Sequence, residues 1–359
     1  MNILYLIATP NIFGGTPKKL LDMVKHSHNQ CVVYFWADAY KDKQELFRRA
    51  GATTYTGAYG RNIFKHISLI AKIIDKHSIT IVQTQFSFGE VLGFFTKVIR
   101  PQIKLLITFE GPFSPPFLKR LILKTLYKRV DTFIYISEYV RQEKLKAFPA
   151  LKNRTGRIIY NGTSPLICTS HLTKFSECYK IVAVSFLIGL KNIDTLIRAI
   201  SIIVHNMNQQ NVELFILGDG PEYKNLSNLI KALKLEKHVM LMGNRNDVGD
   251  FLQQCNLFTH PSVAEGFGLV VSEAMLAGLP IIAAKAGALP ELIIDGESGL
   301  LVDPLDAQAW AEAIIKLMND ATFAKQLGDN GKFRAKNMFS VEKFVANYEK
   351  FYKEIINGK

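Results

Sequence analysis

Short apolar or alternating runs repeat along the chain, each followed by a segment of helical period. Residues 2–8, 31–36, 80–84, 104–109, 132–136 and 157–160 read as strands by this test. Strand and helix in strict alternation predict a parallel α/β sheet covered by helices on both faces. A second series follows at residues 179–186, 212–217, 238–242, 257–260, 280–284 and 299–302, which opens a second unit of the same kind. Between the two series, residues 161–177 (NGTSPLICTSHLTKFSE) are polar, turn-rich and aperiodic, and read as an interdomain linker. Residues 340–356 (SVEKFVANYEKFYKEII) form a capped amphipathic helix after the last strand. The expected division is an N-terminal Rossmann-like domain over residues 1–163, completed by the helix 340–359, and a C-terminal one over 164–339. In open parallel sheets ligands sit beyond the carboxyl ends of the strands, so two such units are expected to face each other across a cleft lined by loops.

Composition narrows the class. Apolar residues make up 48% and charged residues 21% of the 359 positions, which excludes long disordered tracts and suits two ordinary domains. The opening apolar run lacks a basic leader and is too short for a signal segment, so it reads as a buried strand. Every other apolar run is broken well before the roughly 18 residues a membrane-spanning helix needs. Cys31, Cys168, Cys178 and Cys255 are widely spaced, form no CxxC pair and read as reduced thiols, which suits a cytoplasmic protein. The net charge of +13 is one-sided: residues 1–165 carry 25 Lys and Arg against 10 Asp and Glu, whereas residues 166–359 carry 19 against 21. A basic N-terminal half attracts an anionic surface, either lipid headgroups or nucleic acid.

The densest chemistry lies in HPSVAEGFGLVVSEAMLAG, residues 260–278, where a strand end passes through a glycine-rich turn into a helix. The backbone amides of Gly266, Phe267, Gly268 and Leu269 open that helix at its positive dipole end, a setting that welcomes anionic or hydroxyl-rich ligands. Glu265 can accept hydrogen bonds from sugar hydroxyls. Glu273 lies two turns deeper on an otherwise apolar helix, and a buried carboxylate there needs partners such as a ribose diol. From spacing alone a plainer arrangement stands beside this one, with Glu265 capping the turn and Glu273 on a wet edge.

The pattern HPSxxEGFGxxxSEAMxxGxP resembles the paired-glutamate signature of the retaining glycosyltransferases of family 4, which have the GT-B fold. The resemblance extends over most of the C-terminal half, through Phe215-Ile216-Leu217-Gly218-Asp219-Gly220-Pro221, residues 239–243, Gly287-Ala288-Leu289-Pro290-Glu291 and the lysine-led segment Lys191-Asn192-Ile193-Asp194-Thr195-Leu196. It implies that Glu265 contacts the transferred sugar, Glu273 the nucleotide ribose and Lys191 the donor diphosphate. In the N-terminal half, Phe13-Gly14-Gly15-Thr16 resembles the family's first loop, with the amides of Gly14 and Gly15 near the donor, although a lone Gly-Gly is also an ordinary turn.

Two departures from the family pattern bear on chemistry. Phe186 stands where the family carries an arginine five residues before the lysine, and Glu110 stands where it carries a strand-end histidine. Glu110 either orients or deprotonates an acceptor hydroxyl or is a loop residue, and the sequence leaves both open. Gln83 and Gln85 occupy the end of an earlier strand where a histidine pair sometimes occurs. No strong general base is in view, which agrees with the front-face retaining route of the family, and the absence of an Asp-x-Asp motif agrees with catalysis without an obligatory metal or cofactor.

The basic segment at residues 116–129 (PFLKRLILKTLYKR) places Arg120, Lys124 and Lys128 at i, i+4 and i+8, with Lys119 and Arg129 flanking them. It is either a surface helix packed on its sheet or a peripheral contact with an anionic membrane, which Arg48, Arg49, Arg61, Lys65, Lys72 and Lys76 would extend. The resemblance, with its lipid-linked acceptors, favours the membrane. The expected function is a retaining hexosyltransferase, working from a nucleotide diphosphate sugar, most simply UDP-linked, onto a saccharide or lipid-linked acceptor in bacterial surface polysaccharide assembly, such as O-antigen, capsule or lipopolysaccharide. The expected place is the cytoplasm, at the inner face of the cell membrane. The rival readings are a catalytically silent nucleotide-sugar-binding scaffold and a nucleic-acid binder; the second lacks a helix-turn-helix or aromatic-interleaved basic motif.

Overall fold

A computed structural model describes residues 1–10, 15–37, 39–113, 115–166 and 178–358. Gly14, most of the expected linker and Cys168 lie outside the described residues. The chain divides into two compact units, Met1–Thr163 with Ser340–Lys359, and Ser164–Phe339.

Among the described residues the first unit holds seven strands: β1 (Asn2–Ile7), β2 (Gln30–Phe35), β3 (Thr53–Thr56), β4 (Ile81–Gln85), β5 (Lys104–Phe109), β6 (Thr132–Tyr135) and β7 (Gly156–Ile158). They form one sheet in the order β3-β2-β1-β4-β5-β6-β7, with every pairing parallel. Near-continuous runs such as ILYLI and VVYF bury both faces, because helices cover the sheet on each side. The short edge strand β3 (TTYT) escaped the sequence reading. Its residues are only half-buried and three of the four are threonine, so no apolar run marks it.

The second unit repeats the design with β8 (Tyr179–Val184), β9 (Val212–Leu217), β10 (Val239–Gly243), β11 (Leu257–His260), β12 (Ile281–Ala284) and β13 (Leu300–Val302). Their order is β10-β9-β8-β11-β12-β13. In each sheet the first strand sits centrally and the chain then winds outward on one side before reversing to the other. The order reverses between β1 and β4 in the first sheet and between β8 and β11 in the second, and such reversals are where doubly wound sheets receive ligands.

The C-terminal helix Val341–Ile356 belongs to the first unit. Ser340 caps it, its side chain accepting from the Lys343 amide at 3.3 Å, and the Val341 amide donates to the Thr163 carbonyl at 3.1 Å. Val341, Phe344, Val345, Tyr348, Phe351 and Tyr352 enter the core beside Ile3, Tyr5 and Leu20. Each such side chain contributes about 1.5–3 kcal/mol on burial. Polar pairing fixes the helix in register: Tyr352 donates to Gln83 Oε1 at 2.5 Å, and Gln83 Nε2 donates to Thr108 at 2.8 Å. Gly162 is required where the two segments meet, since a Cβ there would lie 2.4 Å from Phe344 Cβ and 2.6 Å from the Ser340 carbonyl.

Candidate functional site

In the second unit, Lys191 follows β8 and Glu265 follows β11, so the two residues flank the reversal point of the sheet. Lys191 Nζ lies 2.5 Å from Glu265 Oε2, and His260 Nε2 lies 3.0 Å from the same oxygen. A carboxylate only accepts, so the His260 Nε2–H is the donor and its tautomer is fixed. Burial pushes the Glu265 carboxyl upward, but the His260 hydrogen bond and the Lys191 charge outweigh it and bring the carboxyl down to about 2. Glu265 is therefore a charged acceptor near neutral pH at the mouth of a helix.

The backbone around these residues is stitched rather than loose. Lys191 ends a short 3-10 turn, Gly189–Lys191, and the next residue, Asn192, takes a left-handed conformation with φ 54°. The Asn192 side chain donates to the carbonyls of Pro261 and Pro304 at 3.1 and 2.6 Å, while the Val263 amide donates to the Leu190 carbonyl at 3.0 Å. These bonds tie the Lys191 loop to the segment that leads into Glu265. On the other side the Ala288 amide donates to the Glu265 carbonyl at 2.9 Å. Gly287, at φ 58°, allows this approach, because a Cβ there would meet the Glu265 carbonyl oxygen at 2.6 Å.

The helix after Glu265 runs Leu269–Ala277, with Gly268, which has no side chain to cap it, at its N-terminus in the left-handed region, φ 98°. Glu273 is only 4% exposed, which overturns the wet-edge alternative. The Phe267 ring is buried and stacks edge-on against Phe339 at 5.6 Å, so only its backbone is available beside Gly266 and Gly268. Phe186 is 62% exposed just beyond β8. His260 was not assigned a role from sequence; its place as the last residue of β11, five before Glu265, was the signal.

In the first unit, Glu110 follows β5 directly and is not an open carboxylate. Lys19 Nζ, from the helix Gly15–His26, lies 2.6 and 2.7 Å from its two oxygens, and the side chains are 3% and 7% exposed. Glu110 thus lies in the loop after β5 as a carboxylate paired with Lys19. Losing either partner would strand a buried charge at about 3–5 kcal/mol. Lys19 went unnoticed because it reads as one more helical lysine. Gly15 opens that helix and is exposed. Gln83 is committed to Thr108 and Tyr352, whereas Gln85 Oε1 is buried without a partner among the described residues.

The basic helix Phe117–Leu126 buries Leu123 and Leu126 but leaves Phe117, Leu118, Leu121 and Ile122 between 58% and 75% exposed. Lys124 and Lys128 are exposed as well, Lys128 lying in the 3-10 turn that follows the helix. Leu118, Leu121 and Ile122 face outward. Among the described residues no helix is long and apolar enough to cross a membrane, and no group of three or more His, Cys, Asp or Glu is placed to hold a metal ion.

Two doubly wound units, the second with the Lys191–Glu265–His260 cluster at its reversal point, define an α/β protein of the kind that handles nucleotide-linked ligands. The family model described as "Glycosyl transferases group 1" matches residues 171–334, and "Glycosyltransferase Family 4" matches residues 13–165. An uncharacterized glycosyltransferase of Methanocaldococcus jannaschii is 30% identical over 292 residues, 79% of this chain and 78% of that protein. The capsular polysaccharide biosynthesis glycosyltransferase CapM of Staphylococcus aureus is 32% identical over 195 residues, half of each chain. Among solved structures, HepE of Anabaena in complex with UDP and glucose superposes with a TM-score of 0.83 at 24% identity, covering 99% of this chain and 100% of that one. The chain belongs to the GT-B glycosyltransferases of the group 1 and family 4 type, and is a transferase enzyme.

The depressed Glu265 carboxyl makes one prediction. An unfolded glutamate titrates near 4.3, so the stability this group contributes is complete above that pH and is lost as pH falls towards about 2. Urea denaturation of wild type and Glu265→Gln should show a stability difference that shrinks between about pH 4.3 and pH 2, by on the order of 3 kcal/mol. A difference that stays constant over that window contradicts the paired geometry.

Proposed function

We propose that the protein is a retaining hexosyltransferase that takes a hexose from a UDP-sugar and passes it to a saccharide or lipid-linked acceptor in surface polysaccharide assembly. The observation that carries this reading is the Lys191–Glu265–His260 cluster at the reversal point of the second sheet. Lys191 is the cation for the donor diphosphate, Glu265 the acceptor for a hydroxyl of the transferred sugar, and Glu273 the carboxylate for the ribose. The amides of Gly266, Phe267, Gly268 and Leu269 add partial positive charge at the helix mouth. The UDP and glucose held by the Anabaena neighbour, and the capsular role named for CapM, support the donor and the pathway.

In the proposed step an acceptor oxygen bonds to the anomeric carbon while the bond from that carbon to the diphosphate oxygen breaks. The bonding pair leaves with the diphosphate, and the acceptor proton passes to a phosphate oxygen on the same face of the sugar. Lys191 stabilises the charge that develops on the leaving group. We assign no obligatory metal to this step, since Lys191 supplies the charge compensation.

Purified protein given UDP-glucose and an acceptor panel should release UDP and give an α-linked product by proton NMR, with activity retained in EDTA. Lys191→Ala and Glu265→Ala should each lower kcat by about 10²–10³. Wild-type turnover in both variants, or a β-linked product, would sink this assignment.

The exposed apolar face of the helix Phe117–Leu126, bordered by Arg120, Lys124 and Lys128, supports a peripheral attachment to an anionic membrane at the cytoplasmic face. Leu121→Glu with Ile122→Glu should abolish co-sedimentation with phosphatidylglycerol vesicles while leaving circular dichroism unchanged. Equal sedimentation of the variant would remove the membrane contact.

A further inference from the structure

A basin of about 410 Å³ opens at the amino edge of the first sheet, between the turn 128–131 that enters β6 and the turn 153–155 that enters β7. These two strands are parallel neighbours, with Phe133 opposite Gly156. Adjacent strands lie about 4.8 Å apart, so side chains from both turns can meet one small ligand. Glu110 follows β5 at the opposite edge of the sheet, and Lys191, Glu265 and His260 belong to the other unit. The basin therefore shares no residue with the donor cluster.

Its acceptors are already engaged. Asp131 is the one carboxylate that lines it; Lys97 Nζ lies 2.9 Å from Asp131 Oδ2, and the Leu105 amide donates to the same oxygen at 2.8 Å. Oδ1 faces Lys97 at 3.3 Å and Lys104 at 3.9 Å. The Val130 carbonyl accepts from Arg154 Nη2, and the Thr155 carbonyl accepts from the Phe133 amide and the Thr132 hydroxyl, each at 3.1 Å. The cations are left over. Lys128, Arg129 and Arg154 are exposed and have no acidic partner among the described residues. The bond to Val130 uses one Arg154 nitrogen and orients the guanidinium, which leaves Nε and Nη1 to donate. The Asn153 amide and the Thr155 hydroxyl add neutral donors.

We infer that the basin binds a soluble ligand through a phosphate or diphosphate group, held by Lys128, Arg129 and Arg154. Three cations and two neutral donors around a cavity whose own acceptors are engaged suit an oxyanion, which brings several acceptor oxygens and no donor to place. The soluble ligand follows from the lining: Val130 is its single apolar residue, so no wall is offered to an acyl chain. The exposed Leu118, Leu121 and Ile122 lie on the preceding helix, and none of them lines the basin. The site stands whether or not the transferase reading holds.

Inorganic pyrophosphate is the probe, titrated by calorimetry at about 0.15 M ionic strength, where exposed charges more than about 8 Å apart are screened from each other. Wild type should bind it saturably, and Lys191→Ala, which removes the proposed diphosphate cation of the other unit, should still do so. In the Lys191→Ala background, adding Lys128→Ala with Arg129→Ala should weaken binding about tenfold or more, and adding Arg154→Gln about fivefold or more. Lys128 and Arg129 make no hydrogen bond or ion pair among the described residues, so their variant should keep its circular dichroism and decides the matter even where Arg154→Gln fails to fold. No saturable binding by Lys191→Ala, or full affinity once Lys128 and Arg129 are replaced, overturns the site. So does equal weakening by Lys72→Ala with Lys76→Ala, two exposed lysines of the helix Ile63–His77, since the effect is then one of net charge. Saturating pyrophosphate should leave co-sedimentation of wild type with phosphatidylglycerol vesicles unchanged at matched ionic strength. Loss of co-sedimentation would assign the basin to a lipid headgroup and overturn the soluble ligand.

Discussion

A carboxylate kept charged inside the second unit is the constraint around which that unit is arranged. Glu265 is 16% exposed at its side chain, and an unpaired charge at such depth would neutralise or destabilise the fold by about 3–5 kcal/mol. Lys191 and His260 remove the penalty, and both come from strand ends that the sheet topology brings side by side. The pair is therefore a product of the order β10-β9-β8-β11-β12-β13, in which strands distant in sequence become neighbours. Without that reversal the lysine after β8 would have no carboxylate to meet.

Holding two opposite charges in one place also demands rigid backbone. Asn192 spends its side-chain amide on two carbonyls, and Gly287 lets a neighbouring loop close onto the Glu265 backbone. Gly218 does the same one strand away, where its φ of 132° and the Ser185 carbonyl leave no room for a side chain. These contacts limit the freedom of the charged groups before any ligand arrives, which is the kind of pre-organisation that electrostatic stabilisation of a leaving group needs. The first unit shows the same economy in the Lys19–Glu110 pair, again between the helix after one strand and the end of another.

Most of the sheet framework was legible because its strands are buried on both faces and so read as uninterrupted apolar runs. The edge strand β3 was not, because threonine carries no apolar signal and an edge strand needs little burial. The glutamates and Lys191 stood out through motif spacing. Lys19 did not, because it is ordinary in sequence and only the fold brings it to Glu110, whereas His260 lay in the motif itself, five residues before Glu265, without a role being read for it. The same limit applied to the helix Phe117–Leu126, whose period was readable but whose outward-facing leucines depend on which side the sheet occupies. The basin around Arg154 joins the turns that enter two strands and leaves no mark in local pattern.

The account turns on whether the Lys191–Glu265 pair receives the donor. A crystal structure of the protein with UDP-glucose bound is the most direct measurement. The account predicts diphosphate oxygens about 3 Å from Lys191 Nζ, a sugar hydroxyl donating to Glu265 and the ribose within reach of Glu273. A donor bound elsewhere, with Lys191 and Glu265 still paired only to each other, would contradict it.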